Sequence, residues 1–312
     1  MPALTRRRFA GTLALAAAGC AGTPAAGRAL EVARGVWVVP GAVGAADEQN
    51  LGRIGNAGFV VGPAGVVAID TGTSFAHGQA LLATIAAVTD RPVKLALVTH
   101  TRPEFLFGGG AFQARGIPVR MHRRTATLMQ SRCETCLRTL RTVVGDAPLA
   151  RTALYKPDQL FDEPHTLELI GRPLRVLSYG HSSGPGDIAV FDDATGTLFA
   201  GGLLDAGRVP DIQDSDLAGW RGALAALRAL APRRVVPGHG APGDVALIDG
   251  VERYLAQLET KVRAMVQAGA SLLGAADEAE LPDYAGWDQY DVIHRRNASV
   301  AFLRFERELL FK

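Results

Sequence analysis

Beyond its first twenty residues the chain has no long apolar run, which excludes a later transmembrane helix, since one needs about 20 consecutive apolar residues. Cysteine is scarce. Three in 312 residues leave one Cys-x-x-Cys pair, too few to close a structural zinc site without partners elsewhere. An excess of either charge is also missing: 33 Lys and Arg face 31 Asp and Glu, a net charge of +2. With aromatics at 6% and no basic stripe interleaved with them, a nucleic-acid partner is excluded. What is present is ordinary globular material, 48% hydrophobic and 21% charged, enough for a large core in one layered α/β domain.

The first thirty residues read as an export signal and a linker. Thr5-Arg-Arg-Arg-Phe9 resembles a twin-arginine motif, and Ala10 to Gly19 is a short apolar stretch of small residues, too short to span a bilayer. A periplasmic location is the expectation. Cys20, preceded by Ala-Ala-Gly, is a candidate lipidated cysteine, although Ala17 stands where a lipoprotein signal usually has leucine. Any membrane contact would then run through a lipid anchor alone. Residues 21–30 (AGTPAAGRAL) are the linker, and no composition shift divides residues 31–312.

Within that domain the patterning predicts two strand-rich blocks, each followed by helices. Strand signals fall at 35–40, 57–62, 66–69 and 93–99, with a helix over 75–89 and another strand within 112–122. Residues 124–144 carry Leu128, Met129, Cys133, Cys136, Leu137, Leu140 and Val144 at intervals of three and four, the period of an amphipathic helix. A second block reads as strands at 167–170, 174–179, 188–192, 198–200 and 234–236, with helices over 217–230, 244–267 and 293–310. Two such blocks suit a four-layer αβ/βα sandwich with a cleft along one edge of the paired sheets.

Three histidines sit in loops after strands: His100 in Thr99-His-Thr-Arg-Pro-Glu-Phe105, His181 in Tyr179-Gly-His-Ser-Ser-Gly-Pro-Gly-Asp187, and His239 in Val236-Pro-Gly-His-Gly240. Their order and contexts resemble the metallo-β-lactamase superfamily, as do the hairpin and Asp-Thr-Gly turn of Gly58–Gly72 and the run Thr197-Leu-Phe-Ala-Gly-Gly-Leu-Leu204. The segments Gly207-Arg-Val-Pro-Asp211, Gly219-Trp220 and Val235–Gly240 are similar to the zinc metallohydrolases associated with quinoprotein dehydrogenase systems, relatives of a sulfur-oxidation accessory hydrolase. The resemblance implies a metallo-β-lactamase fold, one or two zinc ions at the sheet edge, and hydrolysis by a metal-activated water.

Against the complete motif His-x-His-x-Asp-His, this chain departs. His100 keeps the first position, but Arg102, Glu104 and Phe105 take the second, third and fourth, and Gly202 stands where the bridging aspartate belongs. Arg102, Phe105 and Gly202 cannot coordinate a metal, and a glutamate in place of aspartate moves its carboxylate by about 1.5 Å. A normal dinuclear site is therefore not expected. What remains by the resemblance is a single-zinc set of His100, His181, His239 and Glu104, with His181, His239 and Glu104 as candidate catalytic groups. Asp70, Arg102 and Asp187 would orient the ligands from behind. The alternative is that Arg102 occupies the vacated metal position and pairs with Glu104.

Cys133-Glu-Thr-Cys136 lies on the expected helix 124–144 and is a candidate disulfide, though no histidine follows it and no strand leads into a helix start as a thioredoxin-like site requires. His77 and His122 read as surface polar residues, and His294 carries no assigned role. Two readings of function follow. One is an exported hydrolase using at most one zinc on an ester-, lactone- or thioester-like substrate. The other is a non-catalytic binding or accessory protein whose cleft takes a small molecule or a periplasmic quinoprotein dehydrogenase.

Overall fold

The computed structural model describes residues 28–311; the segment read as an export signal and Cys20 lie outside the described residues. The first sheet follows chain order: β1 (Leu30–Ala33), β2 (Val36–Val39), β3 (Ala57–Gly62), β4 (Gly65–Ile69), β5 (Val93–Val98), β6 (Val119–His122) and β7 (Gln159–Phe161). Its first four strands pair antiparallel and its last four parallel. Parallel neighbours need crossovers. These are α1 (Phe75–Val88), the short α2 (Pro103–Leu106) and α3 (Gly109–Gln113), and the long α4 (Arg123–Val144).

The second sheet runs β12-β11-β10-β9-β8, from β8 (His165–Leu167), β9 (Leu174–Ser178), β10 (Ile188–Asp192), β11 (Thr197–Asp205) and β12 (Arg234–His239). Only β11 and β12 are parallel, joined across α5 (Leu217–Ala229). Helices α6 (Ala246–Gln267), α7 (Leu272–Glu278) and α8 (Arg295–Leu310) complete the chain, the last entered through a π-helical turn at Tyr290–His294.

Three apolar layers hold this together. Val36, Val60, Val67, Leu95 and Leu97 of the first sheet meet Leu174, Val176, Ile188, Val190 and Phe199 of the second. Helices α1 and α4 cover the outer face of the first sheet through Leu81, Ile85, Met129 and Leu140, while α5, α6 and α8 cover the second through Trp220, Tyr254, Leu258 and Phe302. That is the expected four-layer αβ/βα sandwich. β4 and β10 are buried along their whole length, as strands clothed on both faces must be.

The turns after β4 and β5 are built against each other. Asp70 adopts a left-handed φ of 62°, and Thr71 donates twice: its N–H to the Phe105 carbonyl at 2.8 Å, and its hydroxyl to the Phe105 and Leu106 carbonyls at 3.0 Å. The orphan carbonyls at the end of α2 are thereby satisfied. Gly108 follows with no room for a side chain, since a Cβ there would lie 1.9 Å from the Thr71 oxygen.

Two histidines read as surface residues are in fact buried. His77, 7% exposed, sits in the first turn of α1, which Ser74 caps, and its Nδ1 accepts from the Thr73 N–H at 3.1 Å. His122 caps α4 by accepting from the Arg124 N–H, and its other nitrogen meets the Asp162 carbonyl at 3.1 Å. His294 bridges the Tyr254 hydroxyl and the Ala279 carbonyl, both at 3.0 Å, fastening the π-helical turn to α6 and α7.

His77 generates a pH prediction. Burial, reinforced by the Arg53 cation, lowers its pKa from 6.5 to about 3. A histidine whose folded pKa lies below its unfolded value favours folding while neutral. Its contribution is complete above about pH 6.5 and is lost toward pH 3, by up to roughly 1.4 kcal/mol per pH unit. His77→Gln should flatten the decline in urea midpoint between pH 7 and pH 4; an unchanged decline would remove His77 from this account.

Candidate functional site

The cleft lies where the ends of β4, β5, β11 and β12 meet the loop before β10. His100 follows β5 by two residues, and the strand end it occupies is set by Asp70, whose carboxylate accepts from the Thr99 N–H at 2.8 Å and from the Thr99 hydroxyl at 2.8–3.0 Å. Burial raises the Asp70 pKa to about 7, against the Thr99 donors and the His100 ring, which pull it down. Across the sheets, the Ile188 N–H donates to the Thr99 carbonyl at 3.1 Å. This contact delivers Asp187 to His100. Its Oδ2 lies 2.5 Å from His100 Nδ1 and accepts from the Ser183 hydroxyl at 2.6 Å. Asp187, expected to orient ligands from behind, lies against the His100 ring.

The other nitrogen of His100 is also taken. Arg102, the residue before the first turn of α2, donates from Nε to His100 Nε2 at 2.9 Å. Its NH2 group reaches the Asp211 carboxylate at 3.3 Å. Arg102 is 26% exposed and Asp211 9%, and Arg296 of α8 pairs with the same carboxylate. Burial alone would lower the pKa of Arg102, but Asp211, Glu104, Asp205 and Asp187 together outweigh it and hold the guanidinium protonated.

His239, the last residue of β12, lies between two carboxylates. Asp205, the last residue of β11 and its register partner, is 2.7 Å from Nδ1; Glu104 of α2 is 3.1 Å from Nε2. Burial would lower the His239 pKa, but Asp205 and Glu104 reverse that and raise it. Burial likewise works against the Glu104 carboxylate, yet the hydrogen bond and charge of His239, aided by Arg102, lower its pKa to about 2. Each nitrogen of the ring therefore faces a carboxylate oxygen. Phe105 separates the two histidine systems, its ring edge-on to both at centroid distances of 5.8 Å and 5.3 Å.

His181 does not join them. It is exposed, and its Nε2 is 2.7 Å from the Asp214 carbonyl. Of the expected zinc set, the structure gathers His100, His239 and Glu104 around Phe105 and leaves His181 outside. Arg102 bonds to His100 and Asp211; Glu104 is held by His239. Cys133 and Cys136 are free thiols on α4, away from this site, and the disulfide open to them is not made.

These residues do not fit zinc. A zinc needs about four converging lone pairs, and the two buried rings of the expected set offer none in this arrangement. His100 Nε2 accepts from the permanent cation of Arg102, and both His239 nitrogens face carboxylates. Among the described residues, no group of three or more His, Cys, Asp or Glu side chains is arranged to hold a metal ion. Gly202 fits the same pattern. A Cβ there would lie 2.4 Å from His100 Nδ1, so the imidazole occupies the space that a side chain at 202 would need.

Sequence reading missed Asp205, Asp211 and Arg296. Asp205 directly follows the run Thr197–Leu204, three residues beyond the noted Gly202, and Asp211 ends the noted Arg-Val-Pro-Asp run, one beside and one within a segment singled out. Gly202→Ala should cost about 1–3 kcal/mol by overpacking against His100. A urea melt of that variant matching wild type would show that the ring can retreat.

The metallo-beta-lactamase superfamily model matches residues 51–239, more than half of the chain. Solved structures of similar fold include the metallo-beta-lactamase from Pontibacter korlensis, at 24% identity and a TM-score of 0.60, covering 73% of this chain and 98% of that one. Another is that from Hirschia baltica, at 18% and 0.59, covering 73% and 97%. The FIM-1 metallo-beta-lactamase of Pseudomonas aeruginosa, solved in its mono-zinc form, gives 18% and 0.59, covering 74% and 95%. No curated protein matches. At these identities the solved structures establish the fold alone, and with the family match over β3 to β12 they lead to one conclusion: this chain belongs to the metallo-β-lactamase superfamily.

Proposed function

We propose that this chain is a member of the superfamily whose cleft no longer works through a metal and serves instead as a binding or accessory site. The observation that carries this reading is the Arg102 guanidinium donating into His100 Nε2 at 2.9 Å. In the family's chemistry a metal lowers the pKa of bound water and polarises the acceptor oxygen. Here the lone pair a metal would take is spent on a fixed cation, and both His239 nitrogens are engaged by Asp205 and Glu104, so neither ring has a free nitrogen to act as a general base.

The same reading extends to setting. The Arg-Arg-Arg leader supports export to the periplasm, with a lipid anchor at Cys20 as the one route to a membrane. The Gly207–Asp211 and Val235–Gly240 segments support an association with quinoprotein dehydrogenase systems, where the cleft would take a small molecule or meet the dehydrogenase itself.

The test is metal content together with turnover. Protein purified without chelator, then offered equimolar zinc and desalted, should carry far less than one zinc per chain. It should hydrolyse no ester, lactone or thioester probe above the rate of an Arg102→Ala, His100→Ala double variant. One zinc per wild-type chain, lost in His181→Ala, would overturn this proposal and restore the single-zinc hydrolase.

A further inference from the structure

The cysteine pair on α4 takes no part in the cleft's chemistry, yet its arrangement is specific. α4 runs unbroken from Arg123 to Val144, so Cys133 and Cys136 stand about one turn apart on neighbouring positions of one helix face. The helix rise and radius put such Cα atoms roughly 5 Å apart, within the ~4.4–6.8 Å that a disulfide spans. Their Cβ atoms, about 5–6 Å apart on a regular helix, must draw in by roughly 1 Å for the bond to close. Cys136 Sγ donates to the Arg132 carbonyl at 3.5 Å, with Cys133 its neighbour one turn back on the same face.

Their environments differ in the way a nucleophile and a resolving thiol require. Cys133 is fully buried in the core beneath α4, and its hydrogen bond with Cys136 together with burial pushes its thiol well up. Cys136 is only partly buried; the hydrogen bond from Cys133 lowers its thiol's pKa against the effect of burial, and the Arg132 cation adds to this. The turn is anchored from one side, because Arg132 pairs with the Asp214 carboxylate, whose own carbonyl meets His181.

We propose that Cys133 and Cys136 form a redox-active dithiol that cycles with an intrahelical disulfide by exchange with small-molecule disulfides. Cys136, as thiolate, attacks one sulfur of the external disulfide; an S–S bond forms between them and the external S–S bond breaks. The released external thiolate takes up the proton that Cys136 lost. Cys133 then gives up its proton and attacks Cys136 Sγ, closing the Cys133–Cys136 bond and expelling the second external thiol. Two protein thiols are oxidised, and one external disulfide is reduced to two thiols. The closed loop spans only four residues, so the bridge constrains the unfolded chain little and adds little stability. That suits a bond meant to open again.

Trypsin cuts after Arg132 and Arg138, so both cysteines lie in the one peptide Cys133-Glu-Thr-Cys-Leu-Arg138 and read separately from Cys20. The full chain, reduced and then exposed to oxidised glutathione, should be quenched with an alkylating agent and that peptide weighed. The expected product has lost two hydrogens, carries neither glutathione nor alkyl group, and returns to two alkylatable thiols after dithiothreitol. Cys133→Ser should trap glutathione on Cys136, and Cys136→Ser should leave Cys133 unmodified in protein shown folded by circular dichroism. Two free thiols in wild type after oxidised glutathione, or a wild-type peptide that keeps glutathione on Cys136, would overturn the proposal without reference to either variant.

Discussion

The rest of the cleft is arranged around one contact, the guanidinium of Arg102 donating into the Nε2 of His100. An arginine cannot shed its proton at any working pH, so its charge must be answered wherever the chain places it. Here the answer comes from Asp211, shared with Arg296, and at longer range from Glu104, Asp205 and Asp187. Carboxylates that would have gathered around a divalent ion gather instead around a monovalent, hydrogen-bonding one. The geometry changes accordingly, since a planar fork demands directed acceptors where a metal demands converging lone pairs.

Two buried histidine systems result, and they differ. His100 has one nitrogen facing Asp187 and the other receiving from Arg102. His239 stands between Asp205 and Glu104, one ring nitrogen facing each carboxylate. Removing one member of such a set leaves an uncompensated buried charge, which costs more than the intact pair contributes. Phe105 between the rings supplies an apolar wall and strengthens the electrostatics on either side by keeping the site dry.

Much of the fold was legible in the sequence. Buried parallel strands read as apolar β-branched runs, and the three- and four-residue spacing of 124–144 marked α4 almost to the residue. The strand expected at 167–170 lies instead at His165–Leu167, because Ile170 packs between the sheets from a turn and not from a ladder. His77 and His122 were misread because a polar residue at a helix start looks solvated until tertiary packing buries the cap. In the site, the lost ligand positions were legible as substitutions, but their replacements were not. Asp205 reaches His239 only through the irregular register of β11 on β12, and His181 turns outward with its loop. Both are set by contacts far apart in sequence.

Helix α8 packs on α6 and α7, yet two adjacent residues of it reach back into the cleft's frame. Arg296 grips Asp211, and Asn297 bonds the Pro210 carbonyl at 2.7 Å and the Ile212 N–H at 3.1 Å, one on either side of that aspartate. The acceptor that steadies Arg102 is therefore itself held by the last helix described. During synthesis the cleft cannot take its final charge arrangement until that helix has left the ribosome and docked.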